Sequence, residues 1–160
     1  MKSKPYIHTL SSPDLETFSG VFAIRLAACV TQRCRIEEVP KLLAQQLERQ
    51  ADLLHALHLV RERPVFAVRT ISKPNPLAFA AGSVELAFLG KVDDASRERV
   101  SDVASRLCIE CASLLSGFMP DHTWSVVSDR QLFDKLWNPF ALKSAHVAEI
   151  RRREDSLQLS

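Results

Sequence analysis

A chain of 160 residues is one ordinary domain by length, and 46% hydrophobic with 25% charged residues is a globular composition that excludes wholesale disorder. Lys+Arg 21 against Asp+Glu 19 leaves a net charge of +2, too balanced to imply a protein that coats nucleic acid or a lipid surface. No apolar run approaches the roughly 18 residues that cross a bilayer, and no apolar stretch follows the basic start Met1-Lys2-Ser3-Lys4, so a cytoplasmic protein with no membrane partner is expected.

Residues 1–18 are polar and turn-rich, with Ser11-Ser12-Pro13-Asp14, and read as an N-terminal arm or short cap. Val21 to Val30 is an apolar run of β-compatible residues; Arg25 interrupts it on the side opposite Ile24 and Leu26, the pattern of a largely buried strand. Residues 36–60 predict a long helix. Glu37 and Glu38 suit the positive end of its dipole, and Pro40 is tolerated where first-turn amides lack intrahelical acceptors. Val39, Leu43, Leu47, Leu54 and Leu57 follow three- and four-residue steps and read as its buried stripe.

Val65 to Ile71 is the next strand, and Lys73-Pro74-Asn75-Pro76 turns it into a third, centred on Ser83 to Leu89. Leu77 to Ala81 extends that strand and Gly82 suits a bulge. A second long helix covers about 95–116. Asp93 or Asp94 is its expected N-cap, Val100, Val103, Leu107, Cys111 and Leu114 form its stripe, and Gly117 and Pro120 stop it. His122 to Val127 is a fourth strand. Asp129 then caps a short helix with Leu132, Phe133, Leu136 and Trp137 on one side, and 141–160 reads as a charged helix or linker.

This order, strand-helix-strand twice over, predicts an α+β domain across 19–140 with a ferredoxin-like (split βαβ) arrangement: a four-stranded antiparallel sheet with both long helices on one face. The opposite face is then left for a partner, and Arg25, Arg69 and Trp124 are its expected contact residues.

The chemistry-bearing motifs are few. No glycine-rich phosphate loop exists; Gly90-Lys91-Val92 lacks both the earlier glycine and the hydroxyl that would hold magnesium. The nucleophile elbow G-x-S-x-G and the glycine-aromatic signature of RNA-stacking sheets are also missing. Cys108-Ile-Glu-Cys111 has zinc-knuckle spacing, and Cys29 with Cys34 could add two thiolates. The C-x-x-C pair, however, continues the helical stripe, and free cysteine is among the most buried residue types, so core thiols without metal or cofactor are the preferred reading. His55 and His58 lie three apart on the first helix without a third ligand at a helical step. Asp93, Asp94 and Glu98 form a carboxylate cluster of the kind that ordinary capping produces. Arg151-Arg152-Arg153 could touch phosphates, offset at once by Glu154-Asp155.

Taken together, VFAIRL (Val21 to Leu26), the helix ending at Leu59, VELAFLG (Val84 to Gly90), the helix running to Phe118-Met119-Pro120, SDRQLFDKLWNPF (Ser128 to Phe140) and IRRRED (Ile150 to Asp155) resemble the region ahead of the motor in HerA/FtsK-like hexameric ATPases. The resemblance is one of pattern and order. It implies an N-terminal domain of such a translocase, or a small separate protein sharing the arrangement; the nucleotide site of that family lies in a RecA-type core absent here, so no catalytic residue is carried over. The function expected is a non-catalytic assembly or docking domain whose partner is another protein or its own copy, with nucleic acid reached only through a larger complex. The alternatives are a small metal- or thiol-dependent enzyme using Cys29, Cys34, Cys108, Cys111 and His55, and a nucleic-acid-binding accessory protein using Lys143 and Arg151 to Arg153.

Overall fold

The computed structural model describes residues 4–13, 16–29, 35–73, 83–137 and 146–149. Its elements in chain order are β1 (His8–Ser11), β2 (Phe18–Cys29), α1 (Val39–His58), β3 (Val65–Lys73), β4 (Ser83–Asp94), α2 (Arg97–Phe118), β5 (His122–Val126), α3 (Arg130–Trp137) and β6 (His146–Glu149). A single 3-10 turn, Ile36–Glu38, leads into α1. Among the described residues no helix is long and apolar enough to cross a membrane.

The protein is α+β with an antiparallel sheet, which among the described residues has six strands where four were expected. β4 lies along one edge of β2, pairing Phe18 with Asp94 through to Arg25 with Ala87. The other edge of β2 is shared end to end. β1 takes residues 18–21, with His8 opposite Val21, and β5 takes the C-terminal part, with Ile24 opposite Val126 and a register shift between Leu26 and Ala28. Beyond β4 come β3 and then β6. The two extra strands revise both ends of the domain. The segment expected to be an arm is tied into the sheet through β1, and Tyr6 donates its amide to the Val127 carbonyl. Within the segment expected to be a charged helix or linker, 146–149 is a strand on β3. The expected strand extension at 77–81, the bulge at Gly82, Cys34, Lys143 and Arg151 to Arg153 lie outside the described residues.

Alternation along β2 builds two cores. Phe22 and Ile24 point to the side of the long helices, meeting Phe88, Val92 and the α2 stripe of Val100, Ala104, Leu107, Cys108, Cys111 and Leu115. Val21 and Ala23 point the other way, into Ile71, Ala87, Leu89, Val127, Phe133 and Leu136. The sheet face expected to be free is therefore covered by α3 over its centre, around Val21, Ala23, Ala87 and Leu89, while Arg25 and Val65 on the same face stay exposed. The physical reason is visible in α3 itself: its eight residues carry Leu132, Phe133, Leu136 and Trp137 along one side, and that side buries itself against the nearest apolar surface. Tyr6 and Trp137 flank Phe133 at ring-centroid distances of 5.2 and 5.8 Å.

Caps are local. Asp129 accepts the Leu132 amide at 2.8 Å as expected. At α2 the N-cap is Ser96, which accepts the Arg99 amide, rather than Asp93 or Asp94. Asp94 instead accepts the Ser96 amide at 2.9 Å and so shapes the turn before the cap.

Candidate interaction surface

The three residues expected to form a partner surface do not share one. Arg25 and Arg69 both stand opposite Ala87 in the register, so they occupy one row of the α3-side face. Trp124 stands opposite Leu26 and packs half-buried on the α2 side, beside His122 at 6.2 Å. Arg25 is exposed, but Arg69 is only 7% exposed. Its Nη1 donates to the carbonyls of Leu136 and Trp137, the last residues of α3. A guanidinium there satisfies carbonyls that have no intrahelical donor and faces the negative end of the helix dipole. Arg69 thus clamps α3 onto the sheet and is not available to a partner.

The cysteine constellation is also placed by burial. Cys108 and Cys111 are fully buried free thiols on the sheet-facing side of α2. Burial, helped by Cys111 for Cys108 and by Glu110 for Cys111, pushes both thiols up from 9.0 to about 12. Metal ligation and nucleophilic attack both need the thiolate, which this environment disfavours. Among the described residues no three His, Cys, Asp or Glu side chains converge as a metal site would require. Cys29 ends β2, while His55 and His58 are exposed on the last turn of α1.

Asp93 and Asp94 of the acidic cluster line an open cleft of about 590 Å³ where the end of β4 and the start of α2 meet the α1–β3 connection, with Glu62 and Asp102. Three of these carboxylates have partners. Asp93 accepts the Ser19 hydroxyl at 2.5 Å and pairs with Lys91, Asp94 pairs with Arg99 at 3.2 Å, and Glu62 pairs with Arg106. Carboxylates and arginines in alternation make a solvated ion-pair rim that ties α2 to the sheet and to the α1–β3 connection.

The surface that the pattern reading missed is on α1. Only Leu53 and Leu57 of this helix are buried. Leu43, Leu47 and Leu54, assigned above to the core, are 54%, 57% and 66% exposed, and Ile36 and Val39 are exposed as well. The apolar positions from Leu42 round to Leu47 span roughly 140° of the circumference at 3.6 residues per turn. One flank, through Leu53, Leu57 and the following Val60, enters the core with α2. Arg49 on that flank pairs with Asp121 at 3.3 Å. The other flank faces solvent. An arc wider than a single contact can cover was the signal available in the sequence; the assumption that every apolar position on a helix is buried by its own domain concealed it. On the helix side of the sheet, Val68 of β3 is also half exposed.

No family model, curated protein or solved structure matches this chain.

Proposed function

We propose that this chain is a non-catalytic assembly or docking module that engages a protein partner through the solvent-facing apolar flank of α1. The observation that carries this reading is the line of Val39, Leu43, Leu47 and Leu54, more than four turns of helix whose apolar side chains have no cover. Among the described residues, burial keeps the Cys108 and Cys111 thiols from ionising, and Asp94 and Glu62 are held in ion pairs.

The scaffold belongs to the same proposal. Strand order β5-β2-β4-β3, with α1 joining β2 to β3 and α2 joining β4 to β5, supports a ferredoxin-like core extended by β1 and β6 at its margins. That order also keeps open a relation to the domain ahead of the motor in HerA/FtsK-like ATPases, which assemble as hexamers; in that setting the chain would reach nucleic acid only through the larger complex. Free thiols on α2 suit a reducing compartment, and we read the protein as cytoplasmic.

Replacing Leu43 by a photo-cross-linking amino acid in cells tests the reading. A discrete protein adduct is expected from Leu43 and none from the same probe at exposed Asp102 on α2. Equal labelling at the two positions, or no adduct from Leu43, would contradict it.

A further inference from the structure

Two features of α1 select what covers its free flank. The first is geometric: the central residue of the flank, Leu47, has exposed apolar neighbours at matched steps in both directions, Leu43 and Pro40 before it and Ala51 and Leu54 after it. A stripe that is matched about its own midpoint is complementary to itself when reversed. The second is charge. The entry to the helix is acidic, with Glu37 and Glu38, and its last turn is basic, with His55 and His58, followed by Arg61.

From these we infer that α1 pairs antiparallel with α1 of a second copy of this chain, about a two-fold axis at Leu47. Leu47 faces itself across the axis, Leu43 faces Ala51, and Leu54 faces Pro40. Glu37 of each copy then lies beside His58 of the other, once at either end, and the two helix dipoles oppose. A parallel pairing would set Glu37 against Glu37 and align the two helix dipoles, so the charges disfavour it. Leu53 and Leu57 stay in their own domain core, because they lie on the other flank of the arc. The pairing rests on the assembly reading above and gives it a partner, a second identical chain.

Sedimentation equilibrium on the full chain tests it. Wild type is expected at twice the chain mass of 18.0 kDa. Leu47→Glu should sediment as one chain with unchanged far-UV circular dichroism. Glu37→Lys should weaken association several-fold, and adding His58→Glu should restore it. A Leu47→Cys variant should form an interchain disulfide that wild type, with its own cysteines, does not. A monomeric wild type, a dimer indifferent to Leu47→Glu, or failure of the charge exchange to restore association would each overturn the pairing. A monomer that still gives a Leu43 adduct of another mass in cells would overturn the self-pairing alone and leave the assembly reading standing.

Discussion

Arg69 is the residue whose removal separates the two sides of the sheet most cleanly. Its guanidinium holds the end of α3 while the helices on the opposite face make no use of it. Arg69→Met keeps much of the aliphatic stem and removes the donors, so it should cost about 1.5–3 kcal/mol, the range for hydrogen bonds to charged groups. Trp137 fluorescence should shift red as α3 loosens; an unchanged midpoint and spectrum would show that the clamp is dispensable. The sequence offered only an arginine inside a strand, which reads as a surface group, because its burial depends on carbonyls arriving from a helix 67 residues away. Cys108 and Cys111 were legible, since they fall in register with the α2 stripe. Their titration makes a second prediction. Folding raises these thiols from 9.0 to about 12, so the folded state binds more protons than the unfolded state between those values. Their contribution to stability is therefore complete below pH 9 and declines as pH climbs toward 12. Urea midpoints measured across that window should fall, and more gently in a Cys108→Ala/Cys111→Ala variant; equal slopes would contradict the assignment.

At the scale of elements, two close approaches leave no room for a methyl group, one between neighbouring strands and one between α2 and the sheet. A Cβ on Gly90 would lie 2.2–2.7 Å from the Phe22 ring, and one on Gly20 would lie 2.8 Å from the Ala104 Cβ and 2.9 Å from the Val100 carbonyl. Gly90→Ala is expected to cost about 1–3 kcal/mol through overpacking, with Gly20→Ala similar because it forces α2 away from β2. Thermal midpoints equal to wild type would refute the packing. The two long helices then differ instructively. α2 was read well because its whole stripe is buried within the domain, against the sheet and α1. α1 was read well as a helix and poorly as a packing element, because spacing reports an apolar arc without saying how much of it the domain covers. Adjacent residues make the distinction measurable: in dilute protein Leu53→Ala should cost about 2–5 kcal/mol, as core truncations do. Leu54→Ala should stay within about 0.5 kcal/mol, as at an exposed site. Equal losses at the two positions would mean that α1 sits differently on the domain.

For the whole molecule, the order of strands and long helices was legible because each has a clear period and clear breakers. The width of the sheet was not. β1 and β6 have four residues each, too few to show alternation, and they become strands only by pairing with β2 and β3. The closing of the second sheet face was hidden for a related reason: α3 was recognised as one-sided, but what its apolar side meets is decided by the chain path after β5. With α3 on that face and the cleft beside α2 rimmed by ion pairs, the free flank of α1 is the surface through which we propose that this molecule meets a second copy. Amide hydrogen exchange of residues 43–48 across a dilution series tests that claim most directly. Helical amides without tertiary cover exchange quickly, so protection that grows with protein concentration is the expected result. Fast exchange at every concentration, with α2 fully protected in the same sample, would contradict it.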